Sequence, residues 1–206
     1  MRRTAIATGF WLCYWLTGCA EMATSTAPVT STAAAIERQP ITAIDLAGRL
    51  SVRYQKEGRD EALHGSFTWI QKADVTTISL LSPLGQTLAV ITVTSTSASI
   101  AQAGSPIRTA TDANALAAEA LGWPLPVAGL RDWLQGFTTN AQGQRSAVMA
   151  TTTVAFQTND GWTLHYASWD NTDPDHAHPK RLDLTRQTVE AGEVAIRLVI
   201  DSWQPL

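Results

Sequence analysis

Apolar and polar residues alternate along much of the chain from about residue 41 to the C-terminus. In the first such segment Leu50, Val52 and Tyr54 alternate with Arg and Ser residues. Further alternating segments lie near residues 66–69, 153–156, 162–166 and 182–184. A period of two places successive side chains on opposite faces of a strand, so the pattern predicts successive half-buried antiparallel strands.

Three further strand candidates have a different pattern. Two of them, Val75–Leu81 and Thr87–Val93, carry no charge on either face. The third, residues 194–203, is apolar over much of both faces. Strands of this kind are usually covered on both sides, so we expect a second layer over part of the sheet.

Two segments in the middle of the chain have helical signals. Residues 112–121 are rich in Ala, begin with a capping Asp and are followed by Gly122. Residues 126–135 begin with Pro and are followed by Gly136. The order of strands, helices and strands predicts a mainly β fold with some α: an incomplete antiparallel β-barrel, or strongly curved sheet, with a short helical lid.

The N-terminus has the features of a bacterial lipoprotein signal. Arg2 and Arg3 precede an apolar run, residues 5–16, that is too short to span a bilayer. The run ends in Leu-Thr-Gly-Cys, which is similar to the lipobox and places cleavage before Cys19. An incidental core thiol is the alternative, but the order of these features favours lipidation of Cys19. We predict a signal peptide at residues 1–18.

Two or three acyl chains on Cys19 would hold the protein durably on a membrane. Ala20 follows the cysteine, whereas Asp at that position favours retention in the inner membrane, so we expect the periplasmic face of the outer membrane. Residues 19–40 are predicted to form the lipidated Cys and a flexible tether rich in Thr, Ser, Ala and Pro, and residues 41–206 the globular domain.

Composition and charge argue against nucleic acid as a partner and against electrostatic anchoring to lipid. Hydrophobic residues make up 45% of the 206 residues and charged residues 16%, which is typical of one globular domain with a tail. Removal of residues 1–18 leaves 13 basic against 18 acidic residues, a formal net charge of −5. No basic patch indicates nucleic acid, and attraction to anionic lipid does not anchor the chain.

Catalytic motifs are missing from the sequence. It contains no Gly-x-Ser-x-Gly elbow, phosphate-binding loop, His-Glu-x-x-His or Cys-x-x-Cys pair. We therefore predict a protein that is not an enzyme and has no cofactor. A cluster at residues 173–178 includes His176 and His178, but a solvated hairpin loop is a better interpretation than a metal site.

Two features point to hydrocarbon. Six tryptophans remain after processing, and they either form an ordinary core or line a lipid pocket. In addition, Leu84 lies at the tip of a predicted tight turn, Ser-Pro-Leu-Gly. A leucine left in water forgoes about 1.5–3 kcal/mol relative to burial, and lipid is the obvious partner for a tethered domain.

Over about residues 43–203 the chain resembles the LolB family of outer-membrane lipoprotein receptors. The segments that carry the resemblance are Gly-Arg-Leu-Ser-Val at 48–52, Gly-Ser-Phe-Thr-Trp at 65–69, residues 80–85, Leu-Pro-Val-Ala-Gly-Leu-Arg-Asp-Trp-Leu-Gln-Gly at 125–136, Gly-Trp at 161–162 with Tyr166, and Leu-Val-Ile-Asp-Ser-Trp at 198–203. The resemblance implies an incomplete antiparallel β-barrel with a helical lid over an apolar cavity.

The resemblance also implies a function: accepting lipoproteins from the periplasmic carrier LolA and inserting them into the outer membrane. It implies a membrane-insertion loop at Pro83, Leu84 and Gly85. The acyl-chain cavity is assigned to Phe67, Trp69, Leu130, Trp133, Trp162 and Tyr166. Expected partners are LolA, the acyl chains of lipoprotein cargo and outer-membrane lipid, with the protein itself a monomer. The alternatives are a structural envelope lipoprotein without a ligand and a lipid or cell-wall hydrolase.

Overall fold

A computed structural model describes residues 38–140, 142–151, 155–173 and 176–206. The predicted signal peptide, Cys19 and most of the predicted tether lie outside these residues, as do Val154 and Asp175. Within the described residues, neither helix has the length and apolar character that crossing a bilayer requires.

The described chain is mainly β. The strands are β1 Ala43–Lys56, β2 Arg59–Lys72, β3 Val75–Leu81, β4 Thr87–Val93, β5 Ala98–Ala101, β6 Arg108–Ala110, β7 Phe137–Thr139, β8 Arg145–Ala147, β9 Ala155–Gln157, β10 Thr163–Asp170, β11 His178–Gln187 and β12 Glu193–Pro205. The helices are α1 Ala113–Leu121 and α2 Val127–Trp133.

Ten of these strands form one antiparallel sheet in the described residues. Their order is β6-β5-β4-β3-β2-β1-β12-β11-β10-β9, while β7 and β8 form a separate pair. The strands at the two edges, β6 and β9, do not pair with each other, so the curved sheet stays open. The expected incomplete barrel with two short helices is confirmed.

Strand β1 lies near the centre of the sheet, and its residues alternate between the two faces. Leu46, Gly48, Leu50 and Val52 are buried, whereas Ala47, Arg49 and Ser51 lie on the outer face. A register shift at Ala47/Gly48, where β1 pairs with β12, preserves this arrangement. The central strand therefore presents a continuous apolar inner face to the rest of the core.

The uncharged strands β3 and β4 are buried on one face only. Ile78 and Leu80 point into the core, but the other face of these strands is half-buried. That second face mixes neutral polar side chains, such as Thr77 and Ser79, with apolar ones, of which Val75 and Leu88 are 42% and 37% exposed. The lack of charge thus reflects neutral polar and partly exposed apolar residues rather than a second covering layer over these two strands.

Both predicted helices are present, and α1 begins and ends at the predicted signals. The Asp112 carboxylate accepts hydrogen bonds from the N–H groups of Asn114 and Ala115, at 2.8 and 3.0 Å, and so caps α1. Gly122 ends this helix with φ of +80°, a conformation that favours glycine. Helix α2 is shorter than predicted, because the chain turns after Leu134 towards Gly136.

Four short strands were missed by the sequence analysis: β5, β6, β7 and β8. Each has only three or four residues. Segments of this length complete at most two periods of alternation, so the hydrophobic pattern cannot distinguish them from loop.

Residues 36–206 form one compact unit that contains the whole described core. A unit with its own core folds without the preceding residues. At its start Arg38, the first described residue, lies within the predicted tether. Its guanidinium donates to the carbonyl oxygens of Ala177, Gly136 and Val148 and lies 4.9 Å from the Trp169 ring centre. Burial lowers the pKa of Arg38.

Gly65 permits the close approach of β2 and β3. A Cβ atom at this position would lie 2.1 Å from the carbonyl oxygen of Leu81, a backbone atom that no rotamer change can move. Gly65→Ala should therefore lower the free energy of unfolding by about 1–3 kcal/mol, measured by urea denaturation. The neighbouring substitution Ser66→Ala serves as the control and should change it by less than about 0.5 kcal/mol. Equal stability of the two variants would contradict this account.

Candidate functional site

The turn between β3 and β4 presents Leu84 to solvent. The N–H of Gly85 donates to the carbonyl oxygen of Ser82 at 2.9 Å, and the N–H of Ser82 donates to that of Gln86 at 2.8 Å. Gly85 has φ of +79°, which the turn requires. Because these bonds fix the backbone, the side chain of Leu84 is 87% exposed. The expectation of an exposed tip leucine is confirmed.

A small apolar cavity lies between the sheet and the segment that contains α2. Its volume is about 10 Å³, close to the room that a single water molecule needs. It is lined by Leu50, Phe67, Trp69, Ile78, Leu80, Leu125, Leu130, Leu134 and Leu198. The described interior is therefore a closed interface, with apolar side chains of the helical segment packed on apolar side chains of the sheet.

Three of the six residues assigned to the acyl-chain cavity meet here: Phe67 and Trp69 from β2, and Leu130 from α2. The sequence analysis did not assign the five leucines and the isoleucine that complete the lining. For two of these six residues a signal was available: Ile78 and Leu80 alternate along β3 like the assigned residues of β2.

The other three assigned residues are buried outside the lining of this cavity. Tyr166 donates a hydrogen bond to the Phe137 carbonyl oxygen at 3.3 Å, and its ring stacks on Trp169 with centres 5.1 Å apart. Burial raises the pKa of Tyr166. Trp162 lies under the guanidinium of Arg186, 5.9 Å from the ring centre.

Trp133, the third of these residues, lies against its own helix. A Cβ on Gly129, one turn earlier, would be 2.4 Å from the Trp133 ring. The glycine therefore provides the space for the indole on the buried side of α2. Trp133 belongs to the same apolar core as Leu130 but lies in the helical layer of that core.

Polar contacts fasten the C-terminal end of α2 to the sheet. The Arg131 guanidinium donates to the carbonyl oxygen of Ala73, in the turn between β2 and β3. The Gln135 amide oxygen accepts from the N–H of Ile41 at 2.8 Å. At the other end Asn114 of α1 accepts from the N–H of Ala128, at 3.1 Å, and links the two helices. Helix α1 is fastened as well, because Gln102 donates to the Ala120 carbonyl oxygen at 3.2 Å and Arg108 of β6 pairs with Glu119 at 3.3 Å.

A larger open groove runs between α1 and the turn that joins β11 to β12. Its volume is about 650 Å³, and its walls include Ala115, Ala118, Trp123 and Pro124 on one side. Val189, which is 96% exposed, lies on the other. The groove borders the helical layer at the end opposite to the Arg131 contact.

The loop with two histidines has ordinary surface contacts. His176 Nδ1 lies 2.7 Å from an Asp173 carboxylate oxygen, and the His178 ring stacks on Trp203 with centres 4.8 Å apart. Burial lowers the pKa of His178. Asp175 lies outside the described residues. Among the residues that are described, no three metal-type side chains cluster together.

Comparison with known proteins gives consistent matches along the domain. The profile of the family described as outer membrane lipoprotein LolB matches residues 42–203. An outer-membrane lipoprotein LolB from Cupriavidus taiwanensis is 40% identical over 162 residues, covering 77% of this chain and 79% of the relative. Another from Thiobacillus denitrificans is 35% identical over 204 residues, covering 99% and 98%.

Among solved structures, a LolA superfamily protein from Nitrosomonas europaea is similar, with a TM-score of 0.44 and 11% identity over 84% of this chain and 90% of that one. The match to the family profile spans more than half of the chain and nearly all of the described domain. Both relatives exceed 30% identity over more than two thirds of the chain. The chain therefore belongs to the LolB family of outer-membrane lipoproteins.

Proposed function

We propose that this chain is the outer-membrane receptor that accepts lipoproteins from the periplasmic carrier LolA and inserts them into the membrane. Membership of the LolB family over residues 42–203 is the observation that carries this proposal. The apolar interface between lid and sheet and the exposed Leu84 supply the two surfaces that such a task needs. It is a transport receptor rather than an enzyme.

The receptor is held on the periplasmic face of the outer membrane by lipid. In this proposal residues 1–18 are removed as a signal peptide and Cys19 carries the acyl chains. The tether runs from Cys19 towards residue 40, and its flexible part ends before Arg38, which bonds to the domain. A flexible chain of some twenty residues spans about 25 Å on average. The domain, residues 41–206, is therefore free to meet a soluble carrier and to return to the bilayer, and it acts as a monomer.

Cargo binding requires the helical layer to move. A cavity of about 10 Å³ holds no acyl chain, so the segment that contains α2, residues 125–134, must separate from the sheet before a chain enters. When it does, residues such as Leu130 exchange contacts with Phe67 and Trp69 for contacts with hydrocarbon. One apolar contact replaces another, so opening in the presence of cargo costs little hydrophobic free energy.

The groove beside α1 is the entrance that fits this movement. The groove is open to solvent, and Ala115, Ala118, Trp123 and Pro124 form its apolar wall beside α1. An acyl chain that lies in the groove contacts this apolar wall before it reaches the interior. Entry by this route avoids full exposure of the chain to water.

Transfer between proteins needs no nucleotide in this mechanism. A ligand shifts an equilibrium only by its difference in affinity for the two partners. A preference of about 1.4 kcal/mol for the receptor over the carrier already gives tenfold directionality. Leu84 then enters the bilayer beside the open domain and provides the apolar path along which the chains leave.

Depletion of this protein in its own bacterium tests the proposal. Lipoproteins destined for the outer membrane should accumulate in the periplasm bound to LolA, as measured by fractionation and co-purification with the carrier. A plasmid copy should restore delivery. Normal delivery after depletion would contradict the receptor function and favour a structural envelope lipoprotein.

A further inference from the structure

A second surface cavity lies next to the Leu84 turn, on the outer face of the sheet and away from the lid. Its volume is about 410 Å³. The side chains that can contact a ligand there include Arg49, Ser51, His64, Ser66, Pro83 and Arg197. Neither the core nor the route proposed for acyl chains uses these outward-facing residues.

Strand register explains why these polar residues lie together. Arg197 of β12 pairs with Ser51 of β1, and Ser51 pairs with His64 of β2. In the neighbouring position Arg49 pairs with Ser66. Adjacent strands are about 4.8 Å apart, so two guanidinium groups, two hydroxyls and an imidazole occupy a patch three strands wide.

Two carboxylates hold the arginines in place. Arg49 bonds Asp201 through two nitrogens, at 2.9 and 3.0 Å, and Arg197 bonds Asp183 through Nε at 2.8 Å. Arg181 also bonds Asp183, at 2.7 Å. Burial acts to raise the pKa of Asp183, but the hydrogen bonds from the two arginines outweigh it and lower the pKa.

The group keeps an excess of one positive charge, because Asp183 and Asp201 face three arginines. Within the described chain the remaining donors of Arg49 and Arg197 have no protein partner. Guanidinium donors held in a fixed orientation match the paired oxygens of a phosphate. The site is local, since the mature chain as a whole is acidic.

The position of the cavity identifies the source of the phosphate. Pro83 lines the cavity and Leu84 is the next residue, about 3.8 Å along the chain. The headgroup layer of a bilayer is about 5–7 Å thick and borders the hydrocarbon. We infer that this cavity binds the phosphodiester of a membrane phospholipid while Leu84 enters the hydrocarbon, an inference that rests on the proposed membrane delivery.

The test uses a soluble form of the compact unit, residues 36–206, and sedimentation with lipid vesicles. One set of vesicles contains phosphatidylglycerol, and the other an uncharged glycolipid that has no phosphate. The test variant is Arg49→Gln with Arg197→Gln. The matched control is Arg53→Gln with Arg59→Gln, which removes the same charge from exposed residues outside the cavity.

The unchanged domain should bind phosphatidylglycerol vesicles more tightly than glycolipid vesicles. Each arginine near an anionic surface contributes about fivefold to affinity, so the test variant should bind phosphatidylglycerol vesicles about thirtyfold more weakly. Its affinity for glycolipid vesicles should not change. The control should keep most of the preference. If both variants lost the same affinity for phosphatidylglycerol vesicles, general charge attraction would account for the binding and the proposed site would be overturned.

Other outcomes separate this inference from the proposed function. Equal binding of the unchanged domain to both vesicles would overturn the phosphate site and leave insertion of Leu84 standing. Binding to neither would contradict the membrane step of the proposed function itself. A further experiment measures binding of inorganic phosphate at millimolar concentration. If phosphate binding depends on both arginines but the domain does not prefer phosphatidylglycerol vesicles, the ligand is free phosphate and the lipid assignment is wrong.

Discussion

Leu84→Glu is expected to impair delivery of lipoproteins to the outer membrane strongly while leaving cargo binding intact. The substitution forgoes the burial of a leucine in lipid, about 1.5–3 kcal/mol, and adds a carboxylate that resists leaving water. The rate of delivery should therefore fall by about tenfold to a hundredfold. The side chain is 87% exposed in a turn held by backbone bonds, so the stability of the fold should change by less than about 0.5 kcal/mol.

The measurement follows a labelled lipoprotein from the carrier to the receptor and then to membrane vesicles. Cargo should move to the Leu84→Glu receptor at the normal rate and remain there. Ile107→Glu is the matched control, because Ile107 is also an apolar residue in a loop between two strands and is 68% exposed. This control should deliver normally. Unaltered delivery by Leu84→Glu would remove Leu84 from the mechanism.

Trp69→Ala should cause the largest loss of stability among the cavity residues. Trp69 is 1% exposed and lines the central cavity. Truncating a buried tryptophan costs about 3–5 kcal/mol, which lowers the melting temperature of a domain of this size by roughly 6–20 °C. Because the enlarged cavity is bounded by leucines, a small hydrocarbon such as octane should bind there and restore part of the loss.

Two variants serve as controls for this rescue. Trp69→Phe keeps a ring in place and removes an indole N–H that has no hydrogen-bond partner among the described residues, so it should cost less and be rescued less. Trp162→Ala removes an equally buried ring that lies under Arg186, outside the central lining. It should lose comparable stability without rescue by octane. If octane stabilised Trp162→Ala but not Trp69→Ala, the hydrocarbon site would lie near Trp162 and not in the central cavity.

Local patterns in the sequence predicted much of the fold. The alternation of β1, the uncharged segments that form β3 and β4, and the capping residue of α1 each depend on near neighbours in the chain. Leu84 belongs to the same class, because Pro-Leu-Gly in a turn has little backbone freedom to hide its side chain. These features follow from steric and solvation preferences that act over a few residues.

The lining of the cavity depends on long-range pairing, which the local pattern does not contain. Trp69 and Tyr166 alternate with polar neighbours in the same way, yet β2 lies near the middle of the sheet and β10 lies beside the edge strand β9. Only the order of ten strands determines which aromatic ring meets α2. The closure of the interior likewise depends on how leucines from distant segments fill the same space.

At one edge the open sheet ends in β6, a strand of only three residues. Unpaired strand edges invite neighbouring molecules to add a strand, and shortness is one of the ways in which natural proteins prevent this. The opening of the layers proposed above would otherwise carry a risk of self-association each time hydrocarbon was admitted. Keeping its longest strands in the interior of the sheet lets this protein loosen without offering a template for aggregation.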